Sequence, residues 1–471
     1  MSNRWIPLYV CLELSFVLSA PLFSVRSQED NVKYAEEYLK KFYNYKPDQD
    51  RGKSRRSTNS ESFQGKLMEM QKYFGLRRTG ELNEETLTAM KKPRCGLSDA
   101  EDYGDSTRWK NVNLTYKIEN YSPSVIPVEV KKIFKSAWRV WSDVTPLRFK
   151  ARTKKDADIM ISFQRGDHDD NSPFDGHGGI LAHAFQPGTG IGGDVHFDHE
   201  EIWTANSTDY NLFSVAVHEF GHSLGLPHSN DPGSVMFPAY TYLKPNDFTL
   251  SYEDVQRIQD MYGANPNKGM SFLRKVPPKT PNKCDQNLSF DAVMRLQNEV
   301  IFFKDRFMWR RHPEFIDLRL SFISAIWPAL SSGIDAAYEN TEQRHLVFFK
   351  GNQYWLVQQY DILEGYPKSI YHLGFPKSVK SIDAALHFRD TKETFFFTDN
   401  TFWKYYETQK KLDMNYPKHI TEMWPGMESK VDAAVLFNDF IYFFSGALQY
   451  QYDSIKKYIV QTRNANEWLC S

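Results

Sequence analysis

Residues 218–228 read His-Glu-Phe-Gly-His-Ser-Leu-Gly-Leu-Pro-His, a spacing suited to holding a metal ion that does chemistry. In a helix, positions i and i+4 share a face, so His218 and His222 can aim two imidazoles at one point. Gly225 can end that helix, because glycine takes the left-handed conformation without a Cβ clash. The chain can then turn and bring His228 back as a third ligand. Three neutral nitrogens with a fourth position open to water is the arrangement of a catalytic zinc. Glu219 is not needed as a ligand and is free to take a proton from that water, whose pKa the metal lowers to roughly 7.

Met236 stands eight residues beyond His228, where a Met-turn belongs. HExxHxxGxxH followed by that methionine is the signature of a metzincin-type zinc protease. Eight of the 13 histidines fall between His168 and His228. His168, Asp170, His183 and His196 supply three imidazoles and a carboxylate; four protein ligands close a site, which predicts a second, structural zinc. The same stretch carries Asp158, Asp175, Asp194, Asp198 and Glu201 among glycines at 176, 178, 190, 192 and 193. Carboxylates, with backbone carbonyls that glycine lets turn inward, suit calcium.

The elements that position these groups must come from a chain of 471 residues, a length that predicts two to four domains. Lys and Arg number 58 against 59 Asp and Glu, a net charge of -1 that argues against a nucleic-acid binder. Residues 1–20, with Arg4 ahead of an apolar run to Ala20, read as a secretory signal. No later segment is long and apolar enough to cross a bilayer. Asn113, Asn120, Asn206 and Asn287 each begin an Asn-x-Ser/Thr sequon, which suits a secreted glycoprotein. Cys11 leaves with the signal. Cys284 and Cys470 bracket the last domain and would pair in an oxidising compartment, which leaves Cys95, in Pro93-Arg94-Cys95-Gly96, as the odd one out. Its tethered thiolate could fill the open zinc position at high effective concentration and keep the enzyme inert until the chain is cut.

Three helical patterns, Asn31–Tyr43, Glu61–Phe74 and Asn83–Lys91, predict a small leading domain. The first presents Tyr34, Tyr38, Leu39 and Phe42; the second buries Phe63, Leu67, Met70 and Phe74. Between them runs an exposed loop with Arg51, Lys53, Arg55 and Arg56. From Trp109 to Gly263, strands at Leu114–Ile118, Ala157–Phe163, Ile180–Phe185 and Asp194–Phe197 mix with helices at Val128–Val140, along the HExxH stretch with a cap among Ser207–Asp209, and at Ser251–Tyr262. That mixture is an α+β class. Pro266–Lys283 is a linker. Beyond it Phe290-Asp291-Ala292-Val293 recurs as Ile334-Asp335-Ala336-Ala337, Ile382-Asp383-Ala384-Ala385 and Val431-Asp432-Ala433-Ala434, at intervals of 44, 48 and 49 residues. Four such units with aromatic strands predict a four-bladed β-propeller whose last blade the Cys284–Cys470 bond ties to the first. Such a disc offers little catalytic chemistry, which predicts a binding surface.

In this order the parts resemble a matrix metalloproteinase over essentially the whole secreted chain. The resemblance implies a signal at 1–20, a three-helix propeptide with its cysteine switch at 21–102, a zinc-protease domain at 103–263, a hinge at 264–283 and a hemopexin-like four-bladed propeller at 284–470. It implies catalytic zinc on His218, His222 and His228 with Glu219 as general base, Cys95 on that zinc in the latent form, and structural zinc on His168, Asp170, His183 and His196. Calcium would take Asp158, Gly190, Gly192 and Asp194 at one site, and Asp175, Gly176, Gly178, Ile180, Asp198 and Glu201 at another. A propeller-axis calcium would sit on backbone oxygens of Asp291, Asp335, Asp383 and Asp432. Tyr210, Asp231 and Gly233 match a trio associated with the collagenase subgroup, to whose interstitial collagenases the chain is most similar. There are departures: Leu97-Ser98 follows the switch where Val-Pro is usual, the activation cut near Asp102–Tyr103 falls in a short segment, and Ser214 stands at the base of the P1′ pocket where interstitial collagenases carry arginine, which predicts a deeper pocket.

The resemblance and the residues together imply a secreted zinc endopeptidase, made as a latent zymogen, that cleaves extracellular matrix proteins including native fibrillar collagens. The alternatives are a stromelysin-like protease that spares the triple helix, and an inactive matrix-binding scaffold. A peptide would lie along Gly179–Ala184 as an added strand, its P1′ side chain in a pocket walled by the start of the active-site helix, Ser214 included, and by Pro238-Ala239-Tyr240. The implied partners are collagen and other matrix proteins, activating proteases and tissue inhibitors of metalloproteinases.

Overall fold

The structure, a computed structural model, describes residues 20–47, 61–100, 107–205, 209–245, 248–267, 277–312, 320–330, 332–427 and 430–470. The expected signal up to residue 19, the basic loop, Asp102–Tyr103, the Asn206 sequon with Ser207, and residues 268–276 of the linker lie outside them. The chain divides into two compact units, residues 1–71 with 78–91, and residues 72–77 with 92–471.

In the first unit, helices α1 (Ala20–Tyr43), α2 (Phe63–Tyr73) and α3 (Glu84–Met90) follow the three predicted patterns, α1 starting earlier than its apolar periodicity indicates. Asn83 caps α3 by accepting from the Thr86 N–H at 2.8 Å, with Glu84 and Glu85 placed against the positive end of the helix. Leu67 and Met70 are buried, while Phe63 and Phe74 are only half-buried. Gln71 is the polar pin: its Nε2 donates to Thr79 Oγ1 and Thr86 Oγ1, both at 3.0 Å, and its Oε1 accepts from Gly80 N at 2.9 Å.

The second unit begins with β1 (Arg94–Cys95), followed by β2 (Asn113–Ile118), α4 (Pro127–Val144), β3 (Arg148–Arg152), β4 (Ile159–Gln164), β5 (Ile180–Ala184), β6 (Val195–Asp198), α5 (Leu212–Ser223) and α6 (Tyr252–Tyr262). One sheet runs β1-β5-β6-β4-β2-β3; only the β5–β6 pair is antiparallel. β3 carries Arg148, Lys150 and Arg152 and is largely exposed at the sheet edge, so no apolar alternation announces it in the sequence. Pro127 opens α4 at a position where its missing N–H is not needed. The buried face of α4, Val130, Ile133, Phe134, Ala137, Trp138 and Trp141, keeps helical spacing. Trp138 stacks on Phe220 of α5 with centroids 3.8 Å apart, and Trp141 Nε1 donates to the Val217 carbonyl at 3.0 Å. Every residue of α5 is buried. That helix is a rod inside the core.

Four antiparallel sheets follow, starting at Ala292, Ala336, Ala384 and Ala433, and form a four-bladed propeller. The repeated Asp does the same work in each blade. Its N–H donates to the second strand, as from Asp291 to Phe303 O at 2.9 Å and from Asp432 to Phe444 O at 2.8 Å, while its carboxylate accepts from the following turn, as from Asp399 N to Asp383 at 2.7 Å. Cys284 and Cys470 are bonded across a sequence separation of 186.

Between the second and third blades, buried Glu407 accepts from Tyr338 Oη at 2.8 Å, Asn340 Nδ2 at 3.0 Å and Thr394 Oγ1 at 2.5 Å. Tyr405, Glu342 and His387, the last held by Thr394, are the other titratable groups around it. Burial raises its pKa, against the pull of the three donors. A carboxyl raised in the folded state binds more protons there than when unfolded. Its contribution is therefore full at low pH and lost as pH rises through the folded value. Between pH 5 and pH 8 the melting temperature of the wild-type chain should fall relative to Glu407→Gln, by calorimetry at the two pH values. A constant difference between the two proteins would count against this.

Candidate active site and metal centres

α5 ends at Ser223 with Leu224 as its C-cap, and Gly225 adopts φ +102° to let the chain turn back. A Cβ on Gly225 would sit 2.1 Å from the Thr107 carbonyl, so both the turn and the close approach exclude a side chain. The expected cap among Ser207–Asp209 is corrected: Asn211 caps α5, its Oδ1 accepting from Ser214 N at 3.1 Å. Gly221, which sequence reasoning passed over, lets Met236 lie under the helix, since a Cβ there would meet Met236 Sδ at 2.3 Å.

His218, His222, His228 and Cys95 converge, with their ligating atoms within 4.8 Å of one another. His218 Nδ1 lies 2.7 Å from the Val235 carbonyl and His222 Nδ1 2.7 Å from the Leu226 carbonyl. A carbonyl only accepts, so both Nδ1 atoms carry protons and both Nε2 atoms present lone pairs. Those two Nε2 atoms are 3.0 Å apart. Burial holds the rings neutral, bringing His218 to about 3 and lowering His222 and His228 as well. Two buried lone pairs at that separation, with His228 Nε2 also unpartnered, fit a bound cation. Zinc suits a set of three imidazoles and one thiol.

Glu219 is fully buried, neither oxygen has a hydrogen-bond partner, and burial pushes its pKa up to about 8. Cys95 is buried and unpaired, and burial, with the Glu219 carboxyl beside it, pushes its thiol up. A dication held by the three imidazoles would reverse that shift.

Asp99 is the residue sequence reasoning missed. Its carboxylate takes Arg94 Nη2 at 2.6 Å and Nη1 at 3.1 Å, and lies 2.9 Å from His228 Nδ1 in a poorly aligned ion-pair contact. Burial opposes its charge, but the Arg94 guanidinium and His228 outweigh it and hold the carboxyl well below the usual range. Arg94 Nε also donates to the Cys95 carbonyl at 3.0 Å. An Arg and an Asp flanking a cysteine at short range were the available signal.

At the second centre, Asp170 Oδ2 lies 2.8 Å from His168 Nε2, 2.7 Å from His183 Nε2 and 2.8 Å from His196 Nδ1. Asp169 and Asn171 take positive φ of 63° and 62° on either side of it. Among the described residues these are the two groups of His, Cys and carboxylate side chains close enough to hold a metal. The calcium candidates converge less fully. Asp175, Asp198 and Glu201 cluster: Glu201 accepts from Gly178 N at 2.7 Å, Asp175 from Ile180 N at 2.9 Å, and one oxygen of Asp198 is buried without a partner. Burial, with Glu200 and Asp175 beside it, raises Asp198 to about 6, and burial, with Asp198 beside it, raises Glu201 to about 7, the excess of negative charge a cation would relieve. Asp194 accepts from Met160 N at 2.8 Å, whereas the Asp158 carboxylate is taken by the Thr115 N–H and hydroxyl at 2.7 and 2.6 Å.

The cleft holds an extended backbone from two sides. Arg94 N and Gly96 N donate to Gly179 O and Ala182 O of the β5 edge at 2.8 Å, while Cys95 N donates to Pro238 O at 3.0 Å and Pro93 O accepts from Tyr240 N at 2.8 Å. Beside it a cavity opens between Ser214–Val215 and Pro238–Leu243, lined also by His218 and Glu219. Ser214 Oγ accepts from Leu243 N at 2.9 Å and so binds the pocket wall.

The matrixin family model matches residues 108–263, the hemopexin model residues 334–377 and 382–429, and a peptidoglycan binding domain model residues 28–90. Neutrophil collagenase of Homo sapiens is 46% identical over 97% of both chains, and interstitial collagenase of Bos taurus is 48% identical over 95% of both. The chain belongs to the matrixin family. Matrix metalloproteinase-18 of Xenopus laevis, 46% identical over 92% of both chains, is a further relative. This matrixin is a zinc-dependent metalloendopeptidase with a hemopexin propeller, and the propeller has four blades where the hemopexin model matches two. No described helix is long and apolar enough to cross a membrane.

Replacing Asp99 by alanine leaves the Arg94 guanidinium buried without its carboxylate, a loss of roughly 3–5 kcal/mol. Cys95 should then leave the cleft and react with a thiol reagent at least tenfold faster than in the parent chain. If the thiol remains as unreactive as in the parent, Asp99 does not hold the segment.

Proposed function

We propose that this matrixin is a secreted endopeptidase, made latent, that cleaves extracellular matrix proteins and cuts native fibrillar collagen. The observation that carries the reading is the unpartnered Glu219 carboxylate beside three converging imidazoles, with Cys95 in the fourth position of the same cluster. His218, His222 and His228 would hold the catalytic zinc, and His168, Asp170, His183 and His196 a structural one. Bound zinc supplies a Lewis acid for the scissile carbonyl and lowers the pKa of water.

Glu219 then takes the proton of the attacking water and gives it to the leaving amine. Its dry surroundings favour a carboxyl that changes protonation near neutral pH. The substrate backbone takes the place that residues 93–96 occupy between β5 and Pro238–Tyr240, and its P1′ side chain enters the cavity beside Ser214. Cleavage beyond Cys95 releases that segment and activates the enzyme. Calcium is assigned to Asp175, Gly176, Gly178, Ile180, Asp198 and Glu201, to Asp158, Gly190, Gly192 and Asp194, and to the propeller axis. Because the propeller aspartates spend their carboxylates on turns, the axial ion would rest on carbonyls. Exposed Asn113 and Asn287 are the better glycan acceptors; the Asn120 amide is engaged with both backbone groups of Phe163 at 2.9 and 2.6 Å. Tissue inhibitors of metalloproteinases are the expected partners of the opened cleft.

Glu219→Ala should keep its zinc and lose turnover of a peptide by 100-fold or more; wild-type turnover would remove Glu219 from the mechanism. Activated with a mercurial, the wild-type chain should cut native collagen at one place, leaving three-quarter and one-quarter fragments, and a chelator should abolish the cut. Digestion of gelatin with intact triple helix untouched would favour the stromelysin-like reading.

A further inference from the structure

The cavity beside Glu219 is lined by the protease and also by Arg306 and Phe322 of the first propeller blade. Arg306 is clamped there. Its Nη1 donates to Thr249 O and its Nη2 to Gly233 O, both at 2.8 Å, and its guanidinium lies 5.3 Å from the ring centroids of Phe307 and Phe322. Gly233 admits this approach because it has no side chain: a Cβ would stand 2.0 Å from Thr280 Oγ1 and 2.8 Å from Phe307. A second propeller contact, Ser324 Oγ to Tyr242 O at 3.3 Å, holds the same wall. One nitrogen of Arg306 makes no hydrogen bond. Its Nε is buried and has no partner.

We infer that Arg306 is a specificity-determining residue of the P1′ pocket, selecting long side chains that end in a neutral hydrogen-bond acceptor. The inference rests on the reading of this cavity as the P1′ pocket. The Ser214 hydroxyl is committed to Leu243. The remaining walls are apolar, including Leu181, Val215 and Phe248. An acceptor at the tip of the entering side chain satisfies the buried N–H, which a methyl group leaves unpaired. A carboxylate is disfavoured because Asp231, Asp254 and Asp305 already surround the guanidinium and because the apolar walls penalise a further charge.

The test uses the full chain, activated, carrying Glu219→Ala so that peptides bind without being cut. Two peptides differ only at P1′, S-(4-carbamoylbenzyl)cysteine against S-(4-methylbenzyl)cysteine, and their Kd values are measured by calorimetry. The carbamoyl peptide should bind about 10-fold tighter, and adding Arg306→Leu or Arg306→Lys should bring the ratio near 1. Arg306→Lys keeps a cation for the two carbonyls but lacks Nε, which separates selection from docking of the propeller. A ratio near 1 in the parent, or one unchanged by both substitutions, overturns the inference. Turnover of a P1′ leucine peptide by the chain with Glu219 intact reports separately on the catalytic reading.

Discussion

Two imidazole nitrogens in a dry core, each with its lone pair turned toward the other at 3.0 Å, are stable only with positive charge between them. Much of the protease domain arranges that situation. Val235 and Leu226 carbonyls fix the tautomers, and burial prevents the rings from charging themselves instead. Trp138 and Trp141 clamp the helix that carries both rings, so its position is set by close packing. The Val235 carbonyl is itself held. Asp254, buried at the start of α6, accepts from Val235 N at 3.0 Å, from Ser251 Oγ at 2.7 Å, and from Ser234 Oγ. A cap on one helix thus orients a ligand on another, which is how outer partners tune a metal.

The chemistry was more legible than the scaffolding. Ligand spacing within a helix is short-range information, and His218, Glu219 and His222 can be read as a unit. The second centre was readable because three imidazoles and a carboxylate in one loop region have few other uses. The propeller showed itself through a repeated Asp whose N–H and carboxylate perform one local task in every blade. What stayed hidden depends on partners distant in sequence. Asp99 matters through Arg94 and His228, Gly221 through Met236 and Trp141, and Asp254 through a turn that precedes it by some twenty residues. β3 escaped for the opposite reason: an exposed, charged edge strand has no apolar alternation to read.

The leading segment engages the cleft through two unlike sets of contacts. Its backbone from Pro93 to Gly96 satisfies donors and acceptors on both walls, as any extended chain could. Its side chains make contacts that are not generic: Cys95 within the imidazole cluster, and Asp99 bridging Arg94 and His228. The departure Leu97-Ser98 leaves this arrangement intact, because the Arg94–Asp99 pair uses no side chain from either residue.

The segment from Asp231 to Thr249 is where the separate tasks meet. Its Val235 carbonyl orients His218, its Pro238–Leu243 stretch walls the cavity and pairs with the backbone lying in the cleft, and its Gly233, Tyr242 and Thr249 carbonyls receive donors from the first propeller blade. Ser214 fastens the middle of the segment to α5 through Leu243, and Asp254 fastens its early part to α6. Metal, pocket and propeller therefore share one stretch of backbone with fixed points on both helices. The propeller supplies part of the pocket wall, and it can do so because a glycine at 233 leaves room for Phe307 and Thr280.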